Sequence, residues 1–481
     1  MKKKSEHPNL LYIHSDQHSP RVLGCYNDPL VQTPHLDHLA ERGTVFENAY
    51  CPSPVCTPSR MSMLTGRYPF ENEAWTNHHV LDSGIPTMAH AMGAAGYRPV
   101  LIGRMHALGT DQLHGYVERP IGDHSSNFPG AGYAPKDLWR SVVNSGSGQS
   151  TYQVHDEDVT AATVDFFNRL GVKKRAGESA EPFCLHIGFM LPHSPFVARK
   201  EDFDLYKDVM TPPRISETKD LSHPFFQWWR EYAGYGKPSE QDVLRARTAY
   251  WALVTRMDVM IGEILEAMRK NGLDENTMVV YSSDHGEQVG EKGLWMKRTF
   301  YEDSVRVPMI VSWPGVLQEG ERCERVVSAL DLNATMVEAL GADPLPHSRG
   351  RSMLGLLRGE AVDWEDVAIS EYCLYEGHYQ RMIRSGDWKL IYYHGQEPQL
   401  FNLAEDPEEL NDRAQDPDCR EVREELTERV LAGWDPEWVA AKMEEKRVNL
   451  EVIRAWVQET NPPEQFRWEV TPGMGFLDEV R

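Results

Sequence analysis

No stretch of this 481-residue chain is apolar for long enough to cross a membrane as a helix. The basic start Met1-Lys2-Lys3-Lys4 is followed by Ser5-Glu6-His7-Pro8 instead of the apolar core of an export signal. The run from Leu10 to Ile13 is too short to replace that core. Cysteine is sparse: seven residues, at 25, 51, 56, 184, 323, 373 and 419, scattered and odd in number, do not describe a disulfide framework. A cytoplasmic location with no membrane partner is therefore expected. Positive charge is also short, with 50 Lys and Arg against 73 Asp and Glu and a formal net charge of -23. That balance argues against nucleic acid as a partner, and any anion-binding groups must be concentrated locally. Internal repeats are absent.

What is present describes a globular chain, with 41% hydrophobic and 26% charged residues and length enough for more than one domain. Short apolar runs at Asn9 to His14, Pro99 to Ile102, Phe183 to Leu191, Met278 to Ser282 and Val307 to Ser312 read as buried strands. They alternate with helical patterns at Pro34 to Arg42, Pro86 to Ala95, about Gln241 to Lys270 and Ala329 to Leu340. This alternation predicts an α/β domain with a large, mixed, mostly parallel sheet sandwiched by helices. Segments 119–153 and 194–239 carry Pro, Gly, Ser and aromatic residues without periodicity and read as long binding loops. From about residue 365 the texture changes. Arg381 to Arg384 and Trp388 to Tyr393 flank Ser385-Gly386-Asp387 as an antiparallel hairpin, the start of a smaller sheet-plus-helix subdomain. The expected division is 1–364, 365–434, and a Trp-bearing helix with its tail at 435–481.

Four predicted strands run into polar clusters: Asp16-Gln17, Gly103-Arg104-Met105-His106, Pro192-His193-Ser194-Pro195 and Asp284-His285-Gly286-Glu287. Ligands of open α/β sheets bind outside the carboxyl ends of the strands, so topology alone directs these groups to one place. Asp16, Gln17, Asp284 and His285 offer two carboxylates, an amide oxygen and an imidazole, a set suited to a hard divalent cation. Taken singly, Asp16-Gln17 also fits a turn and Asp284-His285-Gly286 a helix cap. A fifth segment is Cys56-Thr57-Pro58-Ser59-Arg60, continued by Met61-Ser62-Met63-Leu64-Thr65-Gly66-Arg67. Pro58 suits a first helical turn, which puts Cys56 at the positive end of a helix with Arg60 about one turn along the same face. The alternative is a structural cysteine at a helix start, since a free thiol often serves as a small buried apolar group.

The Cys-x-Pro-Ser-Arg core and its Leu-Thr-Gly-Arg extension resemble the signature of the type I, formylglycine-dependent sulfatases of the alkaline phosphatase superfamily. The likeness spans most of residues 9–415 and includes Gly293 to Thr299 and Tyr301 to Pro308. It implies an alkaline phosphatase-like fold and hydrolysis of a sulfate monoester by S–O cleavage. Cys56, oxidised to formylglycine by a maturation enzyme, would be the nucleophile. One metal, Ca2+ with Mg2+ or Mn2+ as alternatives, would sit on Asp16, Gln17, Asp284 and His285. Arg60 would stabilise nucleophile and metal, and Lys297 would bind the sulfate. His106 resembles the histidine that bonds the formylglycine diol, and His193 the one that protonates the leaving oxygen with the lysine. Many members carry Asp where Gln17 stands, Asn where His285 stands and Lys where Arg104 stands. Asn77 and the Met105 to Tyr116 region loosely resemble choline sulfatases and phosphonate monoester hydrolases, in which the Asn contacts substrate; Arg104 is the second expected substrate contact.

The expected substrate is thus a sulfated small molecule or saccharide. A polar rim for a sugar would come from the two long loops and His378. The rivals are a phosphonate monoester hydrolase or phosphodiesterase on the same nucleophile, and a catalytically silent binding protein that keeps Cys56 as a thiol. Trp438, Trp456 and Trp468 in the tail either pack on a neighbouring copy as a homo-oligomer contact or wrap their own chain.

Overall fold

The computed structural model describes residues 7–129, 137–178, 181–216, 223–375 and 377–478. Seven strands form the central sheet: β1 (Asn9–Asp16), β2 (Thr44–Tyr50), β3 (Arg98–Gly103), β4 (Phe183–Pro192), β5 (Thr277–Ser283), β6 (Met309–Ser312) and β7 (Glu321–Ser328). Their spatial order is β3-β4-β1-β5-β6-β2-β7. Only β6 runs against its neighbours; the other adjacent pairs are parallel. In β1, Tyr12 lies between His186 and Val280. A strand paired on both edges and covered on both faces has no solvent side, which explains its unbroken apolar run. The carboxyl ends of β3, β4, β1 and β5 consequently line one edge.

Helices cover the sheet. Glu240–Lys270 is held at its start by a capping box between Ser239 and Asp242. Thr151–Arg175 starts at Ser150, whose hydroxyl accepts from the Gln153 N–H at 3.2 Å. This helix was not anticipated. Nor is segment 194–239 wholly irregular, since Pro224–Ala233 is a helix behind a His223 cap. Residues 130–136 of the first expected loop and 217–222 of the second lie outside the described residues.

A second sheet is antiparallel: β8 (Val367–Leu374), β9 (His378–Ser385), β10 (Trp388–Tyr393) and β11 (Gln399–Asn402), in that order. Its residues alternate between two faces, as the strand period of two requires. Met382, Ile391 and Phe401 join the main core, while Ile383, Leu390 and Leu400 pack with Leu426 and Val430 of helix Arg420–Leu431. Helix Pro436–Thr460 follows and docks Val439 and Met443 against Trp75, Cys373 and Trp434. The tail beyond it wraps its own chain. Trp468 donates to Asp158 Oδ2 at 2.8 Å and stacks on His124, and Glu464 accepts from the Asn127 N–H at 2.7 Å. A Cβ on Gly122 would lie 1.2 Å from the Phe466 carbonyl oxygen, so only glycine permits that approach.

Candidate active site

Helix Cys56–Thr65 points its amino end at the edge formed by β3, β4, β1 and β5, and all ten of its residues are buried. It starts at Cys56 itself, two residues before Pro58, which sits where a helical N–H has no partner anyway. Cys56 Sγ lies 3.1 Å from His285 Nε2 and 3.7 Å from Asp16 Oδ1. The ligand atoms of Asp16, Cys56, Asp284 and His285 all fall within 4.8 Å of one another.

Each aspartate divides its oxygens between two tasks. Arg60 takes Asp284 Oδ2 at 2.8 Å and Asp16 Oδ2 at 3.2 Å. The Oδ1 atoms turn toward His285 Nε2, at 3.6 Å from Asp284 and 3.8 Å from Asp16. His285 Nδ1 bonds the Gly286 carbonyl at 3.0 Å, which aims Nε2 at the cluster. Two inward carboxylate oxygens and an imidazole nitrogen fit a divalent cation, and the buried carboxylates are held in place without it by the guanidinium behind them.

Arg104 supplies a second fork. Nε donates to Asp16 Oδ2 at 2.5 Å, Nη1 to Asp123 Oδ1 at 3.3 Å and Ser125 Oγ at 3.0 Å, and Nη2 to His106 Nδ1 at 2.8 Å. A guanidinium only donates, so His106 Nδ1 accepts, and the neutral ring carries its proton on Nε2. Asp123 fixes the same loop by accepting from the Met105 and His106 N–H groups at 3.1 and 2.6 Å. Burial opposes ionisation of Asp123 and Asp16, but in both the neighbouring cations prevail and hold the carboxyl well below its usual range. Asp123 was not among the expected residues.

On the other side, Lys297 donates to Gln17 Oε1 and lies 2.8 Å from His193 Nε2. His193 Nδ1 donates to the Ser194 carbonyl at 2.5 Å, and burial with Lys297 nearby holds the ring below the usual histidine range. The amide oxygen of Gln17, expected on the metal, is engaged here by Lys297, while the Gln17 N–H donates to Asp284 Oδ1 at 3.0 Å. Burial would push the Cys56 thiol up. Lys297 and His285, with hydrogen bonds from His106 and His193, outweigh it and bring the thiol well below its ordinary value. Asn77 accepts from the Thr57 N–H at 2.9 Å, anchoring the first turn of the nucleophile's helix. All eleven expected site residues therefore lie in or against one constellation; His378, expected only on the rim for a sugar, packs against Trp228, with ring centres 4.1 Å apart.

A family model described as Sulfatase matches residues 8–342. The chain belongs to the sulfatase family. A second model, described as N-sulphoglucosamine sulphohydrolase, C-terminal, matches residues 290–433. Among curated relatives, a choline-sulfatase of Rhizobium meliloti is 32% identical over 476 residues, covering 94% of this chain and 90% of its own. An arylsulfatase K of Bos taurus is 28% identical over 507 residues, covering 98% of this chain and 87% of its own. The solved phosphonate monoester hydrolase of Agrobacterium radiobacter superposes with a TM-score of 0.73 at 22% identity, covering 88% of this chain and 95% of its own, a likeness of fold. No helix of this sulfatase among the described residues is long and apolar enough to cross a membrane.

Proposed function

We propose that the protein hydrolyses sulfate monoesters of small molecules or saccharides by S–O cleavage, attacking from position 56. The observation that carries this reading is the placement of Cys56 Sγ, 3.1 Å from His285 Nε2 among converging carboxylate oxygens, with Lys297 and His193 opposite. Oxidation of Cys56 to formylglycine by a maturation enzyme would supply a hydrated aldehyde as nucleophile, and a divalent cation on Asp16, Asp284 and His285, with Gln17 adjacent, would polarise a sulfate oxygen. Ca2+ is the expected ion; Mg2+ and Mn2+ are the alternatives, and the imidazole nitrogen favours a softer ion than an all-oxygen set would.

The chain's own groups divide the remaining work. Arg60 neutralises the outer carboxylate oxygens and so orients the inner ones. His106, fixed by Arg104 and Asp123, presents its Nε2 proton toward position 56, where protons must leave and return in the two halves of the reaction. Lys297 and His193 share a proton at Nζ and Nε2, 2.8 Å apart, positioned for the leaving oxygen. Lys297 also offers positive charge to the transferring group. Asn77 and Arg104 border the place where substrate enters.

We further assign residues 1–364 to the catalytic domain, 365–434 to a C-terminal subdomain and 435–481 to a helix and tail. A cytoplasmic setting is supported by seven cysteines that are all free thiols. The test is turnover of para-nitrophenyl sulfate and of an aryl phenylphosphonate by protein co-expressed with the maturation enzyme. Sulfate ester hydrolysis that exceeds phosphonate hydrolysis and disappears in Cys56→Ala is expected. Preferred phosphonate hydrolysis would establish the rival chemistry, and full activity in Cys56→Ala would overturn the nucleophile.

A further inference from the structure

A cavity of about 250 Å³ lies beside the start of the nucleophile's helix. Its inner wall includes Val55, which precedes Cys56, Asn77, which anchors the nucleophile's helix, and Arg298, which follows Lys297. Its outer wall is helix Pro436–Thr460, which contributes Arg447, Leu450, Glu451 and Arg454. Those four positions follow the i, i+3, i+4, i+7 spacing of a single helical stripe. Farther back on the helix, Val439 and Met443 are buried against Trp75. Where the helix crosses the cavity, guanidiniums flank the one buried apolar residue, Leu450.

The charge balance of this cavity is positive in a chain whose overall balance is -23. The carboxylate of Glu451 is taken by Arg447, which also bonds Glu444 at 2.7 Å. The Nε of Arg454 is buried without a hydrogen-bond acceptor among the described residues. Arg298 is 5% exposed, with its guanidinium 5.8 Å from the Trp229 ring centre. Burial, with Arg454 and Arg298 close by, pushes His78 down to about 4, so this imidazole stays neutral and the arginines set the field.

We propose that this cavity receives the alcohol half of the substrate and selects alcohols bearing a second oxyanion, a carboxylate or a sulfo group, over neutral or quaternary ammonium alcohols. The proposal rests on the sulfatase reading for which bond is cleaved, but not for which group is bound. Guanidinium forks match oxyanions in geometry and charge. Trp75, Tyr372 and Tyr375 also line the cavity, but a quaternary ammonium there would face three guanidiniums, and the one carboxylate that could offset them is already bound to Arg447. The selectivity is thus opposite to what the name of the choline-sulfatase relative would suggest.

The test is a series of phenyl sulfates carrying a meta carboxylate, sulfonate, carboxamide or trimethylammonium group. With matured protein, kcat/KM for the carboxylate or the sulfonate ester should exceed that for the carboxamide by about tenfold or more, the scale of one charge-assisted hydrogen bond. The ammonium ester should be the poorest, and the better of the two anionic esters identifies the preferred oxyanion. In Arg454→Met the anionic-to-neutral ratio should collapse, and Arg454→Lys should restore most of it. Calorimetric binding of the same esters to protein that retains the Cys56 thiol should give the same order without turnover. Loss of hydrolysis with that binding order intact would remove the sulfatase reading and leave the pocket assignment standing. Equal use and equal binding of all four esters, a preference for the ammonium ester, or an unchanged ratio in Arg454→Met would overturn the proposal.

Discussion

Replacing Arg104 by lysine isolates what a guanidinium does where many sulfatases have an ammonium. Arg104 reaches four partners: Asp16 at 2.5 Å, Asp123 at 3.3 Å, Ser125 at 3.0 Å and His106 Nδ1 at 2.8 Å. Lysine keeps the charge between the two carboxylates but cannot hold a planar fork across all four. The bond to His106 is the one with a chemical consequence, because it decides which ring nitrogen carries the proton. A hydrogen bond to a charged group contributes about 1.5–3 kcal/mol, so kcat should fall about 10- to 100-fold with KM changed much less. Thermal stability should drop only slightly in Arg104→Lys, since the buried carboxylates still have a cation. Arg104→Met removes that cation and should cost about 3–5 kcal/mol of stability. The assay is steady-state hydrolysis of para-nitrophenyl sulfate across pH, beside a melting curve for each variant. Wild-type kcat and an unchanged pH profile in Arg104→Lys would refute the role given to the His106 tautomer.

Asp284→Asn should reduce bound divalent metal per chain, measured by atomic emission after dialysis, with affinity at least about tenfold weaker; undiminished metal would remove Asp284 from the ligand set. Glu371 is buried beside Arg381 and accepts from Trp75 Nε1 at 2.8 Å, and burial pushes its carboxyl up to about 7. A carboxyl raised in the folded state binds its proton more tightly there than in the unfolded chain. Its contribution is therefore present at low pH and declines as pH rises from about 4.5 to about 7, by roughly 3 kcal/mol. Denaturant titrations should find this decline in the wild type and its loss in Glu371→Gln, and equal slopes would contradict it. Trp468→Ala should destabilise the protein by about 3 kcal/mol. It should also lower kcat, because the indole, through its stack on His124 and its bond to Asp158, seats the tail whose backbone N–H at 468 donates to the Asp123 carbonyl at 2.8 Å beside Arg104 and His106; unaltered kcat in folded protein would argue against that brace.

The strand-end residues were legible because each follows a short apolar run, and parallel pairing brings such ends to one edge whatever the loops do. Cys56 and Arg60 were legible as a motif and as a helix start. Asp123 was not: it lies in a stretch without periodicity, and its meaning comes from Arg104 and two backbone N–H groups that only the fold brings near. β7 was missed because its first half, Glu321 to Glu324, is largely exposed at the sheet edge and carries no apolar alternation. Helix Thr151–Arg175 did carry a signal, the Ser150 cap, but it followed directly on an irregular segment. The stripe of Arg447, Leu450, Glu451 and Arg454 was not singled out in the sequence, because it becomes a cavity wall only once Val439 and Met443 dock on Trp75.

The mass of the proteolytic peptide that contains position 56, from protein co-expressed with the maturation enzyme and turning over an aryl sulfate, tests the central claim most directly. The aldehyde or its hydrate is expected in the active fraction, in proportion to activity. An active preparation whose peptide carries only the unmodified cysteine thiol would contradict the account.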